Sequence, residues 1–142
     1  MARKVLVLNQ DFTAYKPLQI WASDIAYIKT LEGTLYLAVV LDLFTRKIVG
    51  WSMSPTLKDI LVNDAFKSAC LIYNPDPGLI FHSDRGVQYC SKDFRKLLKL
   101  YKCRQSMSDA GNCYDNAITE TFFKTLRAEL TYHVSFNKRD DA

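Results

Sequence analysis

Apolar runs and polar punctuation alternate along the chain, and the period of those runs changes part-way. After an approach segment ending at Pro17, Ile20 to Ile28 is rich in aromatic and β-branched residues. Leu35 to Leu41 is almost wholly apolar, as expected of a strand buried on both faces. Lys47 to Met53 makes a third strand-like run. The links, Leu31-Glu32-Gly33-Thr34 and Asp42 to Arg46, are short enough for antiparallel hairpins, with Asp42 serving the second turn. Then the period lengthens. Ser54-Pro55-Thr56 reads as a helix start, with a hydroxyl cap and a proline near the first turn. Leu57, Leu61, Ala65, Ala69 and Ile72 follow at helical spacing as a core-facing stripe.

Asn74-Pro75-Asp76-Pro77-Gly78 breaks that helix, and Leu79-Ile80-Phe81 is a short apolar strand. Ser91 caps a second helix, with Phe94, Leu97, Leu98 and Tyr101 inward and Lys92, Arg95, Lys96 and Lys99 outward. Cys103 to Ser106 reads as a fifth strand, Met107 to Tyr114 as a loop, and Asp115 to about Leu130 as a final helix. The order βββαβαβα predicts an α/β fold with a mixed sheet. Trp21 and Trp51 are expected in its core.

At 142 residues, 49% of them hydrophobic and 24% charged, the chain suits one packed domain. No apolar run approaches the roughly 20 residues of a membrane span, and the run after Arg3-Lys4 is too short for a signal peptide. A cytosolic protein is the expectation. Cys70, Cys90, Cys103 and Cys113 form no C-x-x-C pair, and with only His82 and His133 beside them they give no zinc spacing. Reduced, partly buried thiols are expected. The net charge of +4 says little by itself. Between Lys92 and Arg104, however, six basic residues stand against one acidic, a patch that suits a phosphate backbone or a solvated helix face.

Three carboxylates sit where such a fold would place chemistry. Asp24 lies mid-strand among Trp21, Ile25, Tyr27 and Ile28, where an unpaired charge is costly unless a cation compensates it or the strand edge exposes it. Asp84 follows the strand at Leu79 to Phe81, at the carboxyl end where α/β sheets place ligands. Its Ser-Asp-Arg-Gly context also suits a simple turn. Glu120 shares a helix face with Asn116, Phe123, Lys124 and Arg127, while Ile118, Phe122 and Leu126 face the core. Alone, such a glutamate would simply be solvated. Together the three match phosphodiester transfer, in which two divalent ions about 3.5–4 Å apart activate the nucleophile and stabilise the leaving oxygen. Hard oxygen donors of this kind suit Mg²⁺.

Asp84 and Glu120 have 35 residues between them, the spacing of the Asp-Asp-35-Glu signature of retroviral integrases and insertion-sequence transposases. The surrounding words resemble the transposases more closely. Trp21 to Ile28 resembles their first-aspartate strand, and Tyr36 to Trp51 their second and third strands. His82-Ser83-Asp84-Arg85-Gly86-Val87-Gln88-Tyr89 is similar to their second-aspartate motif. Ser106-Met107-Ser108, Gly111 to Ala117 and Glu120 to Phe123 are similar to their glutamate motif. The similarity runs from about Asn9 to Leu130. It implies an RNase H-like fold, a five-stranded mixed sheet with flanking helices, and a DNA strand cleavage and strand transfer activity using Mg²⁺ or Mn²⁺. The implied metal ligands are Asp24, Asp84 and Glu120.

By the same resemblance, Lys124 and Arg127 match basic helix positions that touch DNA, and the protein would assemble as a homo-oligomer on DNA. Asn116 is a further candidate for orienting substrate, and Lys96 and Lys99 for binding the backbone. Residues 1–18 read as a linker-like segment, 19–130 as the catalytic core and 131–142 as a shortened tail. Family members usually carry an N-terminal helix-turn-helix region, and this sequence begins in what resembles the linker that follows it. Ala26 stands where the transposases have a small hydroxyl residue. Two other functions use the same residues: an RNase H-type nuclease, and a DNA-binding module without catalysis.

Overall fold

The computed structural model describes residues 14–107 and Lys124. Three strands open the fold: β1 (Ile20–Thr30), β2 (Gly33–Asp42) and β3 (Ile48–Ser54), joined by tight antiparallel hairpins. Helix α1 (Asp59–Tyr73) then crosses back, and β4 (Ile80–Ser83) adds to β1 in parallel. Two helices follow, α2 (Val87–Cys90) and α3 (Lys92–Leu100), and β5 (Arg104–Met107) pairs in parallel with β4. The sheet order is β3-β2-β1-β4-β5, so the strand bearing Asp24 is central. This is the mixed α/β sheet that the apolar runs predict. The four-residue α2 was not anticipated, and the final helix falls outside the described residues apart from helical Lys124.

Strand alternation divides the core in two. On one face Trp21, Ala38, Val40, Val49, Phe81 and Met107 meet α1, α2 and α3 through Leu61, Phe66, Ala69, Tyr89, Phe94 and Leu98. Phe66 is the hub, with rings of Trp21, Phe81, Phe94 and Tyr101 packed edge-on at centroid distances of 6.2, 5.4, 6.0 and 5.6 Å. On the other face Ile20, Ala22, Ala26, Ile28, Leu37, Val39 and Leu41 cluster with Leu43. Gly50 lets α1 lie close on β3, since a Cβ there would come within 2.5 Å of the Ala65 carbonyl oxygen.

Turns and caps follow the sequence in most places. The Ser91 hydroxyl accepts the Phe94 N–H at 3.1 Å and caps α3. Lys92, Arg95, Lys96 and Lys99 are exposed, as the amphipathic pattern requires. Asn74 ends α1 in the left-handed region, its N–H bonded to the Cys70 carbonyl. Asp42 does more than its turn. Its Oδ1 accepts the N–H groups of Phe44 and Thr45, while Oδ2 accepts those of Leu18 and the Trp21 indole, fastening the approach segment to the sheet.

Three expectations are corrected. Trp51 is 59% exposed, not core, because β3 is the edge strand and its alternation turns Trp51 away from α1. Ile72 is exposed together with Leu71 and Tyr73. Three successive positions span most of the helix circumference, so the last turn of α1 projects past the sheet. Ser54 does not cap α1. It ends β3 and accepts the Thr56 N–H at 3.1 Å, and the helix starts after Lys58, which has extended backbone and no side-chain cap bond. No helix among the described residues is long and apolar enough to cross a membrane.

Candidate nucleic-acid-processing site

The parallel register sets the segments that lead to the first two carboxylates side by side. Ile20, Trp21 and Ala22 pair with Ile80, Phe81 and His82. Asp24 and Asp84 each lie two residues beyond the last of these couples, Asp24 within β1 and Asp84 just past the end of β4. Both share the parity of Ala22 and His82. Asp24 therefore belongs to the face without a described helix, while Asp84 stands in the turn that follows β4. Asp24 sits between Ala22 and Ala26 on that face, so its strand neighbours do not wall it in. Asp84 is exposed, at the carboxyl end of β4.

Local backbone bonds orient both side chains. Asp24 Oδ1 accepts the Ile25 N–H at 2.8 Å, and Asp84 Oδ1 accepts the Gly86 N–H at 2.7 Å. The turn expected of Ser-Asp-Arg-Gly is thus present and holds the carboxylate at the strand end. Gly86 is tightly fitted, because a Cβ there would lie 3.0 Å from Asp84 Oδ1. Beneath Asp84, His82 Nδ1 and Ser106 Oγ are 2.8 Å apart, a buried link between β4 and β5.

One residue that the sequence alone did not single out lies behind both acids. Tyr89, on α2, is fully buried, and its hydroxyl is 2.9 Å from Ser23 Oγ on β1. Burial holds this phenol well above its ordinary value. Its bond to Ser23 works the other way, and the negative charges of Asp24 and then Asp84 push it further up. Both carboxylates therefore act on one hydroxyl. A signal for this pair existed in the sequence: a serine on the Trp21–Ile25 face of β1, and a tyrosine one helical turn after Asp84.

Other candidates are not brought here. Lys96 and Lys99 are exposed on α3, which packs on the opposite face of the sheet from Asp24. Lys124 is helical and exposed. Glu120, Asn116 and Arg127 lie outside the described residues, and among the described residues no cluster of three or more His, Cys, Asp or Glu could hold a metal. The donors present are nonetheless of the right kind: two carboxylates, hard oxygen ligands, each oriented by a backbone N–H. The described cysteines are all free. Cys70 and Cys103 are pushed up to about 12 and about 11 by burial, with Cys103 adding to the shift at Cys70, so these thiols stay protonated.

Residues 14–113 match the family described as the integrase core domain. The chain belongs to this family. It is similar to a transposase for insertion sequence element IS904 of Lactococcus lactis, 49% identical over 136 residues, covering 96% of this chain and 54% of that protein. It is also similar to the transposase InsF for insertion sequence IS3A of Escherichia coli, 47% identical over 134 residues, covering 94% of this chain and 46% of that protein. The chain thus spans about half the length of these curated relatives. Among solved structures, the HTLV-2 integrase catalytic core domain in complex with magnesium superposes with a TM-score of 0.60 at 21% identity, covering 67% of this chain and 62% of that one. The integrase core has the RNase H-like fold.

Proposed function

We propose that this chain is the catalytic core of a DNA transposase, which cuts DNA strands and joins a freed 3′-hydroxyl to another strand. The observation that supports this reading is the parallel register of β1 and β4, two neighbouring strands of which one carries Asp24 and the other leads into Asp84. The transposase relatives and the magnesium in the HTLV-2 core support it. Asp24, Asp84 and Glu120 would hold Mg²⁺ or Mn²⁺, two ions when substrate is bound. Bound there, the cations would activate the attacking hydroxyl and neutralise charge on the leaving oxygen. The chain's own contribution is orientation: Ile25 and Gly86 N–H groups each fix one oxygen of an aspartate before any ligand arrives.

In cleavage a water oxygen bonds to phosphorus as the P–O3′ bond breaks. In joining, the 3′-oxygen attacks a second phosphodiester and displaces its 3′-oxygen. Lys124, Arg127 and Asn116 would contact DNA beside the acids. Lys96 and Lys99, in the other layer, would hold a more distant stretch of backbone. Residues 19–130 form the catalytic unit, which would act as a homo-oligomer assembled on DNA.

Asp84→Asn and Glu120→Gln should each abolish metal-dependent nicking while the circular dichroism spectrum stays unchanged. Nicking that persists in both variants refutes the assignment. Salt-sensitive DNA binding by the parent chain without any cleavage would leave it a binding module instead. Preferential cutting of an RNA–DNA hybrid would make it a nuclease.

A further inference from the structure

The hydroxyl pair behind the acids extends the proposed reading and rests on it. Ser23 is the residue directly before Asp24, and it points to the opposite face of β1. Tyr89 lies on the helix that follows the Asp84 turn. Three hydrogen bonds and the covalent segments between them link the two aspartates through the interior. Asp84 Oδ1 accepts the Gly86 N–H at 2.7 Å, and the Gly86 carbonyl accepts the Tyr89 N–H at 3.0 Å. The Tyr89 hydroxyl then meets Ser23 Oγ at 2.9 Å, and Ser23 is bonded to Asp24 through the chain. Gln105 fastens the helix end of the path, its Nε2 donating to the Tyr89 carbonyl at 2.8 Å.

Phenylalanine would fill this place without needing a partner. Tyr89 is surrounded by Phe81 and Phe94, with ring centroids at 6.3 and 5.8 Å, and a buried hydroxyl is costly unless bonded. Its hydroxyl meets that of Ser23, the residue directly before a proposed metal ligand. We infer that Ser23 and Tyr89 are positioning residues, a clamp that fixes the separation of Asp24 and Asp84 and so sets the affinity of the site for divalent cations.

The test uses Mn²⁺ alone, with free ion counted by electron paramagnetic resonance, on the 142-residue chain. Tyr89→Phe should weaken the Mn²⁺ Kd about tenfold, the lower range for loss of an outer partner of a metal site. Ser23→Ala should do the same, and the double variant should be no worse than either single one, since all three break one bond. Should Tyr89→Phe fail to fold, Ser23→Ala carries the same test. A lowered melting temperature with an unchanged Kd in the variants overturns the inference and leaves the pair merely structural. Asp84→Asn separates the two levels. If it loses Mn²⁺ while Tyr89→Phe and Ser23→Ala retain it, the clamp alone is wrong. If it binds as the parent does, the carboxylate site itself is wrong and the clamp falls with it.

Discussion

The two faces of the sheet are built for different ends. The face under α1, α2 and α3 is filled with large rings, Trp21, Phe66, Phe81, Tyr89 and Phe94, locked edge to face. It admits no charge at Cys70 or Tyr89, whose protons burial holds in place. The opposite face is aliphatic and lower, with alanines at 22 and 26, and it carries Asp24. The same strand supplies both surfaces because side chains alternate, so β1 presents Trp21 and Ser23 one way and Ala22 and Asp24 the other. Rigidity is thus placed one residue away from a proposed metal ligand.

The largest effect expected from this contrast lies on the aromatic face. Phe66→Ala removes a ring that touches four others and leaves a cavity that no single neighbour can fill. Stability should fall by about 3–5 kcal/mol, measured by urea denaturation. A loss near 1 kcal/mol would mean that the rings re-pack freely, and the face would not be the rigid support described.

On the other face the sign should reverse. Asp24 occupies a central strand beside buried Val39, a position that favours β-branched apolar residues. Asp24→Val should therefore raise stability by about 1 kcal/mol in the same denaturation experiment while metal-dependent cleavage disappears. A destabilised variant would show that the carboxylate serves the fold, and the division of labour between faces would not hold at this residue.

How far the sequence disclosed these faces depended on whether a signal was local. The strands were legible because their apolar runs are bounded by Gly33 and by the Asp42 turn, and Ser91 was legible because a capping hydroxyl acts within three residues. Asp24 and Asp84 stood out as charges in apolar strands. The pairing of the segments that lead to them, however, is a property of register between positions 60 residues apart. Long-range burial was hidden for the same reason. Trp51 has the composition of a core residue and loses that role only because β3 is at the edge. Leu71 and Ile72 keep the helical period where the sheet beneath has ended. The Tyr89–Ser23 bond joins positions 66 apart, beyond any local pattern. The expectations for Glu120, Asn116 and Arg127 lie outside the described residues.

The smallest effect tests whether the aromatic face excludes charge as a whole. Burial pushes the Cys70 thiol from 9.0 to about 12, with Cys103 close enough to add to the shift. In the unfolded chain the same thiol ionises near its ordinary value, so above that pH the unfolded state binds fewer protons than the native one. The contribution of Cys70 to stability is therefore complete below pH 9.0 and is lost progressively as pH rises towards about 12. Cys70→Ala removes this contribution and adds a small, pH-independent packing loss. The gap in melting temperature between parent and variant should be constant from neutral pH to 9.0 and should shrink above it. Parallel curves across that window would mean that water reaches the thiolate at Cys70. The sheet face beneath α1 would then be open at its α1–β5 side, and the contrast with the carboxylate face would be one of side-chain size alone.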